Sequence, residues 1–371
     1  MDKYSRFKIA SILFIMVALI LTTGFTYPSP SADSAILIDS VTGRVMYSLN
    51  PNLKKPMAST TKIMTALLAI EHGDLNSKVK VKKSSVGIEG SSIYLMENEE
   101  VLLKDMIYGL MLRSGNDAAV AIAEHISGSV DEFVKLMNKR AKEIGANNTN
   151  FVNPHGLHHQ DHYSTAYDLA IITREGMKQD FFREVSKTKL WVADRDINQY
   201  FYNKNDVLWE YKGGDGVKIG YTKASGRCLV ASATRDEMQL ISVVINDGNW
   251  FNDCYEMLNY GFENFKPALL LSKGQFLKEI QIINGDKEKY NALYDSDLII
   301  PLKEGEKDKI KILVNLPDTI PAPVEKCKKL GNILVFLEGK LLYTKEIESS
   351  VDIKNKNVNL SIIDFLYKIF K

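Results

Sequence analysis

Ala58-Ser59-Thr60-Thr61-Lys62-Ile63-Met64-Thr65 is the stretch on which the reading of this chain turns. Residues three apart on a helix share a face, so Ser59 and Lys62 point the same way, one turn apart. A neutral lysine amine in that place can take the serine proton. Burial lowers a lysine pKa and a second cation lowers it further, which makes Lys218 a candidate partner. Residues 59–71 read as a helix, with Ile63, Leu67 and Ile70 at helical spacing. Ser59 then sits at its start, where backbone N–H groups favour developing negative charge. A Ser-x-x-Lys string alone is better explained as an exposed helix start with a polar first turn. The strongly apolar helix behind it and two further strings change the balance.

Ser114-Gly115-Asn116 falls at a break between two expected helices, 102–112 and 116–126. A short loop there can aim two polar side chains into a cleft. Ser114 would relay a proton to a leaving amine, and the Asn116 amide would hold a substrate peptide group. A plain capping turn is the competing explanation. Lys218-Ile219-Gly220-Tyr221 lies on an expected strand, 217–222, after the Gly213-Gly214-Asp215-Gly216 turn. An edge strand of this kind can pair with an extended peptide, and Gly220 permits close approach. The Tyr221 backbone N–H, with that of Ser59, would form an oxyanion hole. Here the competing explanation is an ordinary strand with a solvated lysine. The specific signal is the ordered set: Ser-x-x-Lys at a helix start, Ser-x-Asn in a loop, then Lys-x-Gly on a strand.

The rest of the chain frames these strings. Residues 35–39 and 44–47 flank a Thr42-Gly43 turn and read as a hairpin. Helices are expected at 130–144, 165–177 and 252–265, and strands at 227–233 and 239–246. Together they make an α+β domain over residues 33–265. After Pro267 short β-like runs alternate with charged turns, at 276–283, 298–302, 311–316 and 333–337. They read as a small β-rich domain over 270–353. In residues 358–371, Ser361, Asp364, Lys368 and Lys371 form a polar stripe beside a broad apolar face. That pattern reads as an amphipathic helix lying in a membrane interface and too short to span it, with a helix packed on its own domain as the alternative.

Lys3, Arg6 and Lys8 precede a charge-free apolar run, 9–21, which reads as a secretion signal within a leader of residues 1–32, cleaved after Gly24 or Ala32, with an uncleaved anchor as the alternative. The chain is expected to be exported, to the outer face of the cytoplasmic membrane or the cell wall space. Its 371 residues carry 47 basic and 46 acidic side chains, a formal charge of +1, which points away from nucleic acid. Cys228, Cys254 and Cys327 are odd in number and lack a CxxC spacing, so they read as buried or unpaired thiols. His155, His158, His159 and His162 lie within eight residues, but that spacing alone is weak evidence for a metal site, and no metal is expected there.

With these motifs in place, the chain resembles the D-alanyl-D-alanine carboxypeptidases, the type-5 low-molecular-mass penicillin-binding proteins. The likeness spans nearly the whole chain. Residues 33–50 resemble the family's opening hairpin and 58–65 its nucleophile helix. Arg113-Ser114-Gly115-Asn116-Asp117-Ala118-Ala119 resembles the second motif. Asn153-Pro154-His155-Gly156-Leu157 resembles the loop beside the active site, and 216–233 the third-motif hairpin. The resemblance implies a serine β-lactamase/DD-peptidase-like domain, an antiparallel sheet with a helical subdomain. It implies that Ser59 attacks the penultimate D-alanine carbonyl of a peptidoglycan stem pentapeptide, with Lys62 as base and Ser114 as shuttle. Asn116, Lys218, Gly220 and Tyr221 would bind substrate, β-lactams would acylate Ser59, and no cofactor is implied. Where the family pattern has a threonine whose hydroxyl binds the substrate carboxylate, this chain has Ile219, which implies a weakened enzyme.

Two other readings compete. A β-lactamase would carry an acidic deacylation residue after the second motif, and 153–167 offers Asp161 but no Glu. A catalytically impaired penicillin-binding or wall-binding module would account for Ile219, against the retained Ser59, Lys62, Ser114, Asn116 and Lys218.

Overall fold

The computed structural model describes residues 27–356. The expected signal run and the expected terminal helix lie outside the described residues. The chain divides into two compact units. The first holds the described residues up to Ile38, Val45–Thr234 and Leu240–Asn264. The second holds the described residues from Phe265 on, with the short segments Asp39–Arg44 and Arg235–Gln239.

The strands of the first unit are β1 (Ser34–Asp39), β2 (Val45–Leu49), β3 (Lys78–Lys80), β4 (Glu100–Leu102), β5 (Leu190–Val192), β6 (Tyr200–Tyr202), β7 (Gly214–Thr222), β8 (Gly226–Arg235) and β9 (Met238–Ile245). Its helices are α1 (Lys62–His72), α2 (Leu103–Leu112), α3 (Asn116–Ser127), α4 (Val130–Glu143), α5 (Ala166–Met177), α6 (Asp180–Lys187), α7 (Val207–Glu210) and α8 (Trp250–Asn264). The main sheet has the order β2-β1-β9-β8-β7, which leaves β7 at an edge. All six residues of β1 are buried, so both faces of the sheet are covered. Side chains alternate across a strand, and β1 shows it. Ile36 and Ile38 join the core shared with the helices. Leu37 faces the other way, onto α8, where a Cβ on Gly261 would stand 2.9 Å from it.

Helix α1 is buried from Lys62 to Ala69 without interruption. A helix that is apolar all round belongs in the interior. The consequence is chemical, because its first residue is a lysine and goes inside with it. Around it the helix ends follow ordinary capping rules. Ser129 and Thr165 accept N–H bonds at the starts of α4 and α5, and α3 stops at Gly128 with φ +79°.

The second unit is all β among its strands, three small sheets over one apolar core. They include Phe276–Ile283, Leu298–Leu302, Ile310–Asn315 and Lys329–Leu337, which contain or overlap the four runs expected from sequence. Lys340–Glu348 is a further long strand, paired with Lys329–Leu337.

One local expectation changes. Ser59 lies not in an α-helix but in a 3-10 turn, Ala58–Thr61, that precedes α1. A 3-10 turn eclipses side chains three apart, so Ser59 and Lys62 still share a side. Cys228 and Cys254 are buried and Cys327 exposed, all three unpaired, as their number and spacing suggested.

Candidate active site

The turn that carries Ser59 is held under local strain. Ala58, just before it, has φ +48°, a left-handed conformation that a residue with a Cβ adopts at a cost. Three contacts fix it there. The Thr61 hydroxyl donates to the Ala58 carbonyl at 2.8 Å. His162 Nε2 meets the same hydroxyl at 2.8 Å, while its Nδ1 accepts from the Val152 N–H at 3.0 Å. The Nδ1 acceptor assigns the proton to Nε2, which therefore donates to Thr61. Burial lowers the His162 pKa to about 3, so the ring stays neutral and the chain of bonds is kept. Finally, Gly156 (φ +95°) lies against the Ala58 carbonyl, so close that a Cβ there would stand 1.9 Å from the oxygen.

Lys62 is fully buried, and its Nζ lies 2.6 Å from Asn116 Oδ1, 2.6 Å from the His155 carbonyl and 3.1 Å from Ser59 Oγ. Burial first, and then the Lys218 charge, lower its pKa well below the ordinary lysine value, with Asp117 opposing. A neutral amine has two N–H donors and one lone pair. The two carbonyl oxygens at 2.6 Å take the donors, and the lone pair is left for the hydroxyl proton of Ser59. The Lys62 amine, once neutral, is thus aimed at the Ser59 hydroxyl.

The second string closes the far side. Ser114 sits at the break between α2 and α3 with φ +64°. Asn116 gives its Oδ1 to Lys62, and its Nδ2 donates to the Glu89 carbonyl at 2.5 Å. In this structure the Asn116 amide orients the Lys62 amine. Asp117 accepts from the backbone N–H groups of Ile93 and Leu95 and from the Ser92 hydroxyl, which fastens the 89–95 loop beside Asn116.

The third string lies on edge strand β7, and Gly220 is its point of approach. A Cβ there would stand 2.9 Å from the Ser59 nitrogen and 3.1 Å from Ala58 Cβ. Lys218 is buried, donates to the Ile219 carbonyl at 3.1 Å, and has its pKa lowered to about 7 by burial and secondarily by the Lys204 charge. Ser114, Lys218 and Ile219 line a small cavity of about 10 Å³ with Asn203, Lys204 and Asn205. That is room for one water. The Tyr221 side chain is exposed.

All three predicted strings therefore meet at one place. Sequence reading missed Lys204, which joins Lys218 as a second cation on the cavity, and missed the supporting roles of His162 and Gly156. An Asn-Lys-Asn run between β6 and α7 carries no spacing signal. The four histidines do not converge as ligands: His162 is committed to Thr61 and Val152, and His155 Nδ1 accepts from the Leu157 N–H at 3.1 Å. Asp161 is exposed beside His159.

Residues 6–249 match the D-alanyl-D-alanine carboxypeptidase family, and residues 265–357 match the penicillin-binding protein 5 C-terminal domain. The D-alanyl-D-alanine carboxypeptidase DacF of Bacillus subtilis is 37% identical over 344 residues, 87% of this chain and 86% of the relative. The D-alanyl-D-alanine carboxypeptidase DacA of Haemophilus influenzae is 33% identical over 361 residues, 92% of this chain and 90% of the relative. Penicillin-binding protein 5 from Haemophilus influenzae is a structural neighbour with a TM-score of 0.68 and 31% identity, covering 90% of this chain and 100% of its own.

Proposed function

The chain belongs to the D-alanyl-D-alanine carboxypeptidase family and is a serine-type D-Ala-D-Ala carboxypeptidase, and from that premise we propose that Ser59, Lys62 and Ser114 carry its reaction. The observation that supports this assignment most directly is the buried Lys62 amine 3.1 Å from Ser59 Oγ.

Ser59 Oγ attacks the carbonyl of the penultimate D-alanine as its proton passes to Lys62 Nζ. The tetrahedral oxygen meets the backbone N–H groups of Ser59 and Tyr221. Gly220 supports this pairing by letting β7 approach the Ser59 nitrogen. The C–N bond then breaks, and the proton returns through Ser114 to the leaving D-alanine amine. Water repeats the sequence on the acyl-enzyme and frees Ser59. The substrate's terminal carboxylate faces Lys218 and Lys204 on the small cavity, where a negative charge offsets two crowded cations. Asn116 first orients Lys62 and then presents its amide to the substrate peptide. A β-lactam enters the same path and stops at the acyl-enzyme. The exposed position of Asp161 leaves that segment without a carboxylate turned to the acyl-enzyme, which disfavours the β-lactamase reading.

Incubating the exported chain with a penicillin should add one ligand mass, and digestion should place it on the peptide holding Ser59. The same preparation should release D-alanine from a peptide ending in Lys-D-Ala-D-Ala. An adduct without release would favour the impaired binding module, and an adduct elsewhere would sink the assignment of Ser59. The chain acts on the cell wall outside the cytoplasm, and we place residues 358–371 on the outer surface of the membrane as its anchor. Cell fractionation should find the chain lacking them in the soluble exported fraction. Equal membrane retention of both forms would refute the anchor.

A further inference from the structure

We propose that residues 27–32 stay in the exported protein, so that its leader is cut upstream of Tyr27, after Gly24, and not after Ala32. This rests on the secretion-signal reading of the chain's start. Gly24 itself lies outside the described residues. In Tyr27-Pro28-Ser29-Pro30-Ser31-Ala32 burial alternates: Pro28, Pro30 and Ala32 are buried, and Tyr27, Ser29 and Ser31 are exposed. That is the two-residue period of an extended chain with an inner face. Tyr27 adds ring contacts, at 5.1 Å to Tyr47 of β2 and 5.5 Å to Tyr260 of α8. Asp33, the next residue after the stretch, donates its N–H to the Ile245 carbonyl at the end of β9, at 3.2 Å.

Ser31 makes the contact that decides where the cut can fall. Its backbone N–H donates to Asp253 Oδ2 at 2.7 Å, and its Oγ lies 2.7 Å from Asp247 Oδ1 and 3.0 Å from Asp253 Oδ2. Asp247, just after β9, is 1% exposed, and Asp253, in the first turn of α8, is 5% exposed. Burial pushes the Asp247 carboxyl above its ordinary range, the Asp253 charge adds to this, and Ser31 gives the largest opposing contribution. Asn249 supplies the rest, its N–H to Asp247 at 2.9 Å and its side-chain amide to Asp253 at 2.8 Å. A cut after Ala32 would remove Ser31 and leave Asn249 as the one donor to this pair among the described residues. Two buried like charges stripped of a shared donor are costly to keep folded. The stretch is thus a strap that ties the start of α8 to the end of β9. Gly24 suits the cut for its own reasons: it is small, and it stands three positions after the apolar run 9–21, against eleven for Ala32.

The first test is the intact mass and N-terminal sequence of the chain recovered after export from a bacterial host. Phe25 should be its first residue. A first residue beyond Tyr27, Asp33 above all, would overturn the proposal. A chain still starting at Met1 would overturn the cleaved-signal reading instead, in favour of the uncleaved anchor. The second test does not depend on the cut. The chain from Phe25, its Ser31→Ala variant and a chain made from Asp33 are compared by thermal unfolding. The chain from Asp33 should unfold about 5 °C or more below the chain from Phe25, and Ser31→Ala should fall between them. Adding Asp247→Asn and Asp253→Asn to the chain from Asp33 should recover part of the loss, because the two amides no longer repel. Where the chain from Asp33 does not fold at all, Ser31→Ala decides. An unfolding temperature unchanged by Ser31→Ala would mean that the pair does not need the strap, and would overturn the proposal even with Phe25 found.

Discussion

Lys62→Met is expected to slow acylation of Ser59 by about 10²- to 10⁴-fold, the usual weight of a positioned general base. Methionine fills the same buried space but offers no lone pair to the serine proton. The substitution also leaves Asn116 Oδ1 and the His155 carbonyl without their donor, which costs roughly 1–3 kcal/mol for each orphaned group. Thermal unfolding of the variant separates that structural loss from the chemical one. The pH profile separates them further. Only the neutral amine is a base, so in the unaltered enzyme acylation should rise with pH as Lys62 loses its proton. Burial and the Lys218 charge place that step well below the ordinary lysine range. In its proposed role Lys218 works in the opposite sense, because it would bind a carboxylate only while charged. Its pKa of about 7 should give kcat/KM a falling limb near neutrality. Lys204→Gln removes one of the two causes of that low value and should move the limb upward. The Lys62→Met profile should lose its rising limb. A variant that folds and is acylated by a β-lactam within ten-fold of the unaltered rate would remove Lys62 from the role of base.

Much of this site was readable from the chain because its parts are local. Ser59 and Lys62 are one turn apart, Ser114 and Asn116 two residues apart, and Lys218 to Tyr221 contiguous. Each string carries a spacing that a turn or strand converts directly into geometry. The elements that present them were legible for the same reason: α1 to α5, the first hairpin and β7 to β9 follow strong apolar periods or firm turn signals. What escaped depends on distance in sequence. His162 reaches Thr61 across 101 positions, and nothing around either residue announces the bond. Gly156 reads as a loop glycine until the Ala58 carbonyl is found against it. Lys204 becomes a site residue only when β7 is laid beside it. The strands β5 and β6 have three residues each, too few for a period to show, and Lys340–Glu348 is charged and half-exposed, so its alternation is weak.

Ile219→Thr is expected to raise kcat/KM for peptides ending in D-Ala-D-Ala by about ten- to a hundred-fold, since a hydrogen bond to a charged group is worth roughly 1.5–3 kcal/mol. Ile219 lines the cavity with Lys218 and Lys204 and gives its carbonyl to the Lys218 amine. Its side chain has the β-branched shape that an edge strand favours, and threonine keeps that shape. The exchange therefore adds a donor with little change of backbone. Val at the same position is the matching control, because it trims the side chain equally without a hydroxyl. A gain shared by Ile219→Val would trace to space rather than to a hydrogen bond. A second control removes the partner instead. On a substrate whose terminal carboxylate is replaced by an amide, the advantage of threonine should shrink to that of valine. If the gain persisted on the amide, the hydroxyl would be acting somewhere other than the carboxylate. No gain on either substrate would mean that the two lysines already hold the carboxylate well enough without it. Isoleucine would then reflect a cleft whose anion affinity rests on charge. The salt dependence of KM should in that case be steep, because two cations at a small cavity are screened by ions far more than a short directional bond is.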